Sequence, residues 1–252
     1  MPADREPQPA ALAPGTPRPT PVPLVPWRRI DPALPIDFHL HTTYTDGTAP
    51  VQDMAAAARR AGLAAILFSE HVRAASDYYP AYLQEVRAEN RDGLTVFAGF
   101  EAKILDRDGT LDCPPAAAEE ADAIVGSVHR PPAAGGAGVA WQALAPEEAI
   151  ALELELALAI VERSRAHVLG HPMGMVVRHH RISPLAAIER LARACAAHGK
   201  AFELSARYCP SPSRWLAIVE RAGCPVSLGS DAHRPSAVGG AWRLFDPAGG
   251  RR

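Results

Sequence analysis

The sequence predicts an α/β fold: a barrel of parallel strands built from seven strand–helix units, one short of the usual eight and therefore distorted. Two observations predict it. Seven short apolar runs alternate with helical patterns from residue 36 onward, and a strand, loop, helix and return take about 30 residues per unit. Each run also ends at a polar side chain, His39, His71, Glu101, His129, His171, Glu203 and Asp231, spaced 32, 30, 28, 42, 32 and 28 residues apart. In a parallel barrel such ends open on one face, which carries the chemistry.

Taken in order, residues 1–35 hold 11 of the 25 prolines and almost no apolar periodicity. Proline removes a backbone donor and fixes φ, so this stretch is expected to be a disordered, dispensable tail. Residues 36–40 read as the first strand, and Val51, Met54, Ala55 and Ala58 recur at helical spacing after Pro50. Strands follow at 64–68 and 94–100, with a helix over 80–90 between them. Asp108-Gly109 between two apolar runs predicts a hairpin. Residues 123–128 form the next strand, and the Gly-rich segment 131–140 is expected to be a mobile loop. Pro146-Glu147-Glu148 opens a long helix with its acids at the positive end. Strands at 168–172, closing on His171, 201–204 and 225–228 complete the set, with helices starting at Ser183-Pro184 and Ser211-Pro212. The domain limits are therefore placed at 36–245, with 246–252 a flexible C-terminus.

Composition excludes several classes. Basic and acidic residues number 26 and 28, so no net field recruits nucleic acid or an anionic membrane. The apolar stretch 149–161 carries Glu153 and Glu155, where a membrane span needs roughly 20 residues without charges. Asp4 and Glu6, with no apolar core after them, argue against a signal peptide. The four cysteines, Cys113, Cys195, Cys209 and Cys224, show no short paired spacing, so a reducing, cytoplasmic setting is expected.

The chemistry lies at the strand ends. His39 and His41, two apart on a strand, face one side, and Asp46 adds an oxygen donor. Together with His71, Glu101, His129, His171, Asp231 and His233 they make six imidazoles and three carboxylates. Converging on one rim, so many ionisable groups call for cations. Nine donors exceed one ion's needs, so two or three divalent ions are expected, with Glu101 suited to bridging. Such ions lower the pKa of a bridging water and clamp phosphoryl oxygens, which points to phosphoester hydrolysis without a Ser or Cys nucleophile.

The motifs His39-x-His41-x-x-x-x-Asp46-Gly47, Ser69-Glu70-His71, Gly99-Phe100-Glu101, Ser127-Val128-His129, Gly170-His171-Pro172 and Gly229-Ser230-Asp231-Ala232-His233 resemble those of the PHP (polymerase and histidinol phosphatase) family. The resemblance spans residues 36 to about 240, and 99–112 is most similar to the stand-alone bacterial phosphatases and the PHP domain of family X DNA polymerases. It implies a distorted, TIM-like (βα)7 barrel with a trinuclear site of zinc, manganese or iron. One ion would take His39, His41, Glu101 and Asp231; a second Glu101, His129 and His171; a third Asp46, His71 and His233. Glu101, Asp231 and His233 are the expected catalytic residues. Arg207 and Arg130 are candidates to grip substrate phosphate, and Glu203 to orient a ligand from behind.

The expected activity is a phosphatase acting on a small phosphomonoester such as histidinol phosphate or a nucleotide phosphate. A phosphodiesterase or 3′-5′ exonuclease is the alternative, disfavoured by the neutral charge, as nucleic acid is a partner the residues allow but do not favour. Carbon–nitrogen hydrolysis would commonly bridge its metals with a modified lysine, and neither Lys103 nor Lys200 occupies a strand-end slot. A non-catalytic polymerase accessory module is weakened by the complete ligand series. His167 and His198 read as structural or exposed, and His179 and His180 as exposed rather than substrate-facing. Oligomeric state has no signature in the sequence.

Overall fold

The structure, a computed structural model, describes residues 9–132 and 140–247. Its centre is one eight-stranded sheet. Seven strands are parallel and neighbour one another in chain order: β2 (Ile36–Leu40), β3 (Ala65–Val72), β4 (Thr95–Lys103), β5 (Ala123–Ser127), β6 (Val168–Leu169), β7 (Ala201–Ser205) and β8 (Pro225–Gly229). Their residues are almost all buried, as expected of parallel strands covered on both faces. No ladder joins β2 to β8. The sheet nevertheless comes round on itself, because the His41 amide donates to Ala232 O (2.9 Å) and the Ala232 amide to His39 O (3.2 Å).

Helices α1 (Val51–Arg60), α2 (Tyr79–Ala88), α3 (Pro115–Glu120), α4 (Pro146–Arg163), α5 (Gly174–His180), α6 (Leu185–His198), α7 (Pro212–Ala222) and α8 (Gly240–Phe245) fill the connections and follow β8. Prolines open α3, α4 and α7 in the first turn, where the missing N–H has no helical partner to lose. Gly199 and Gly223, at φ 65° and 70°, end α6 and α7 in the left-handed region. The core is aromatic as well as aliphatic: Phe38, Phe68, Phe100, Phe202, Tyr82 and Trp215 are fully buried. No helix among the described residues is long and apolar enough to cross a membrane. The four cysteines are free and buried.

The expected disordered tail is a correction. Residues 9–35 pack on the barrel: Leu12 is 1% exposed and Val22 3%. Leu12 and Leu111 exchange both backbone hydrogen bonds at 3.0 Å. β1 (Val25–Pro26) adds an eighth strand antiparallel to β8, at an edge where proline's missing donor is tolerated. Sequence periodicity could not reveal this, because the segment's partners lie far along the chain. Residues 1–8, most of the 131–140 loop and 248–252 fall outside the described residues. The reversal at Asp108-Gly109 is present, with the Leu105 amide donating to Thr110 O at 2.8 Å. Helices α3, α5 and α8 were not anticipated.

Candidate metal centre

All nine sequence-predicted donors meet at the C-terminal ends of the parallel strands. His39 ends β2 with Leu40, and His41 follows. Parallel pairing sets His71 of β3 beside Glu101 of β4, which puts both side chains on the rim. His129 and His171 lie two residues beyond β5 and β6, and Asp231 and His233 beyond β8. His171 and Asp231 hold φ at 26° and 51°. These are costly conformations for residues other than glycine, retained where surrounding structure enforces them, most often at functional sites.

Glu101 stands at the middle, 2% exposed. One carboxylate oxygen faces His71 Nδ1 at 2.9 Å and the Nε2 atoms of His39 and His41 at 3.6 Å each. The other faces His129 Nε2 at 3.0 Å and His171 Nε2 at 2.8 Å, and also accepts from the Ser127 hydroxyl. At the outer edge Asp46 reaches His71 Nε2 at 3.5 Å and His233 Nε2 at 3.2 Å. Asp231 lies 3.3 Å from His41 Nε2. Three groups have donor atoms within 4.8 Å of one another: His39, His41 and Glu101; His71, Glu101 and His129; His41, Asp46, His71 and His233. His171 and Asp231 border these groups, and His41 and His71 each belong to two.

The donor set fits divalent ions. Glu203, fully buried, takes His39 Nδ1 at 2.6 Å, so Nδ1 carries the proton and the Nε2 lone pair faces inward. That Nε2 lies only 3.1 Å from His41 Nε2; His129 and His171 repeat the arrangement at 3.2 Å. Ring nitrogens so close together need a proton or a metal cation between or beside them. The titration directions tell the same story. Burial opposes protonation of His39, yet Glu203 and Glu101 carry its pKa well above the ordinary range. Burial alike would raise Glu101, but His129, His71 and His39 hold it well below the carboxylate range. Positive charge is thus favoured beside Glu101, except at His129, whose protonation burial suppresses.

Sequence reasoning missed part of the support. Glu70, adjacent to His71 in the motif, is buried and accepts the Thr42 amide at 2.9 Å and the hydroxyls of Thr42 and Thr45; its carboxylate lies 3.6 Å from His41 Nδ1. Asp37 accepts the amides of Ser230 and Gly239 at 2.8 and 2.7 Å, clamping β2 to the segment after β8. Gly229 is glycine for a steric reason: a Cβ there would lie 1.9 Å from Glu203 Oε1. Glu203 also accepts the His171 amide, so it braces two donors.

The cluster floors a cleft of about 690 Å³. Arg207 lies on its wall, giving Asp231 a 2.9 Å hydrogen bond, and Arg130 lines it as well. His167 is buried and structural, 2.8 Å from Arg18 O through Nε2. His198 is exposed, and His179 and His180 are half-buried and outside the cleft lining.

Comparison with known proteins places this geometry. Solved structures share the fold: the histidinol phosphate phosphatase of Lactococcus lactis, complexed with zinc, L-histidinol and phosphate, superposes with a TM-score of 0.65 at 22% identity, covering 85% of this chain and 94% of that one. In sequence, a probable phosphatase of Edwardsiella ictaluri is 30% identical over 213 residues, covering 79% of this chain and 78% of the relative. One of Caldicellulosiruptor saccharolyticus is 26% identical over 216 residues, covering 79% and 80%. The PHP domain model matches residues 37–207, and with those relatives aligned over most of their own length, the chain belongs to the PHP domain family.

Proposed function

We propose that this chain is a metal-dependent phosphatase that hydrolyses a small phosphomonoester. The observation that carries the reading is Glu101, whose two oxygens face two separate sets of imidazoles at 2.8 to 3.6 Å. A carboxylate so placed is a bridge between ions rather than a ligand to one. His39, His41 and Glu101, joined by Asp231, would hold one ion; Glu101, His129 and His171 a second; Asp46, His71 and His233 a third. Zinc is supported by its presence in the L. lactis phosphatase structure, and the same oxygen and imidazole donors accept manganese or iron. Bound there, such ions would lower the pKa of a held water and offset the charge on a phosphoryl group.

The chain's own residues supply the rest. Glu203 fixes the His39 imidazole from behind, and Glu70 places a carboxylate 3.6 Å behind His41 Nδ1. Arg207 uses Nη1 on Asp231, leaving its other donors to phosphate oxygens at the cluster's edge. Arg130 provides a second cation there. Histidinol phosphate, suggested by the L. lactis relative, and nucleotide phosphates both fit a cleft of this size. Four free, buried cysteines accord with a reducing cytoplasm.

Phosphate release from p-nitrophenyl phosphate, with zinc, manganese or iron supplied, tests the reading. Wild-type protein is expected to turn over and to lose activity with a chelator, and metal analysis to give two to three ions per chain. Glu101→Gln should lower turnover by about a thousandfold or more with its circular dichroism intact; an active variant removes Glu101 from the bridge and the reading with it.

A further inference from the structure

Charge in the cleft is segregated. Among the described residues, every carboxylate in its lining, Asp46, Glu101 and Asp231, belongs to the candidate metal cluster, whereas Arg73, Lys103, Arg130, Arg178 and Arg207 stand around it. They follow or end five successive strands, β3 to β7. Lys103 is offset by Asp112 at 3.2 Å, and Arg207 by Asp231 at 2.9 Å. Arg73, Arg130 and Arg178 have no carboxylate within 4.0 Å among the described residues. Outside the cleft pairing is mixed: Arg18, Arg28, Arg59, Arg107, Arg165 and Arg193 pair with acids, whereas Arg29, Arg60, Arg181 and Arg214 have no carboxylate within 4.0 Å among the described residues, so what sets the cleft apart is that its cations gather in one place with no carboxylate beyond the cluster's own.

With Arg130 and Arg207 beside the phosphoryl group and divalent ions at the floor to meet its charge, Arg73 and Arg178 exceed what that group needs. They also make the mouth repel a cationic leaving group. Arg178 is the best placed of them. It sits on α5, whose first turn is anchored when the buried Glu153 of α4 accepts the Met175 and Val176 amides at 3.0 and 2.7 Å. Arg73 lies in a loop, and Arg130 borders residues outside the described set. Tyr78 and Tyr208 line the same cleft and offer apolar surface to the body of a ligand.

We propose that the substrate's leaving group carries a second negatively charged group, a carboxylate or another phosphate, and that Arg178 grips it. The inference rests on the phosphatase reading and narrows its substrate class, away from amines and toward doubly anionic esters. A guanidinium fork matches either anion bidentately.

The test is a matched series on the metal-loaded enzyme: 2-hydroxyethyl phosphate, phosphoethanolamine, 2-phosphoglycolate and ethanediol bisphosphate. Wild-type kcat/KM is expected to run about fivefold higher for the anionic esters than for the neutral one, a size set by partly screened charges, and lowest for the amine. The better of the two anionic esters identifies which anion the site takes. Arg178→Glu should shift the anionic-to-cationic ratio about twenty-five-fold toward the amine, roughly the square of one such preference; because the ratio is taken within one variant, loss of folded protein cancels. Equal kcat/KM across the series, or an unmoved ratio in R178E, overturns the proposal while leaving the phosphatase reading intact. A shift in Arg73→Glu alone overturns the assignment to Arg178. No release from any member sinks the phosphatase reading itself, and this inference with it.

Discussion

Single side chains set the geometry of this site, and Glu203 shows how. Its two oxygens accept one donor each, His39 Nδ1 at 2.6 Å and the His171 amide, and Gly229 leaves room for the carboxylate where any Cβ would collide. An amide in its place has a single oxygen, so one of the two donors would face an NH2 group. Glu203→Gln is therefore expected to cost roughly tenfold to a hundredfold in metal affinity and activity, the usual penalty for disturbing the partner behind a ligand. A metal titration followed by phosphate release checks it; unchanged affinity would mean that His39 needs no brace. The sequence offered Glu203 as a candidate to orient a ligand from behind, but nothing local tells such a residue from a ligand itself. Glu70 was harder still, because its partners, Thr42, Thr45 and His41, lie on another strand's loop.

At the scale of elements, the parallel strands could be read because each is a short apolar run closed by a polar residue, and that pattern is local. Helix α5 could not. Its seven residues present no long periodicity, and its first-turn amides are satisfied by Glu153 of α4 rather than by a local cap. Arg178, carried by that helix, was missed with it. Burial holds Glu153 against ionisation, with its pKa raised from 4.5 to about 7 despite the two amide donors. A carboxyl group with a raised folded-state pKa binds its proton more tightly folded than unfolded. It therefore subtracts nothing below about pH 4.5 and progressively destabilises the fold as pH rises toward 7, by roughly 3 kcal/mol at most. Glu153→Gln cannot ionise, but leaves one amide facing an NH2 group. It should be clearly less stable than wild type in urea at pH 5, and the gap should close by up to about 3 kcal/mol at pH 7.5. A gap independent of pH would show that Glu153 keeps an ordinary pKa.

Over the whole molecule, a ring of seven parallel strand ends gathers donors scattered from residue 39 to residue 233, which is why their spacing foretold a shared rim. The same logic explains the failure at the N-terminus. Proline-rich sequence without periodicity looks unstructured when only its own neighbours are considered, yet residues 9–35 are ordered by surfaces made elsewhere. Leu12 joins Leu111, Thr20 donates to Asp122 O at 2.6 Å, and β1 extends the sheet beside β8. The segment thus runs from the edge of the sheet beside β8 to the start of β5. Burying Leu12 and Val22 alone is worth about 1.5 to 3 kcal/mol each, and in a chain of this size each kcal/mol moves Tm by roughly 2 to 4 °C. Removing residues 1–35 should accordingly lower Tm by about 10 °C or more. Leu12→Ser should lower it by several degrees, whereas Leu34→Ser, in the same segment but 53% exposed, should leave it within about 1 °C. Scanning calorimetry of the three variants decides the matter: an unshifted Tm in the truncated chain would return the segment to a dispensable tail, and equal effects at Leu12 and Leu34 would show that composition, not packing, is what the segment contributes.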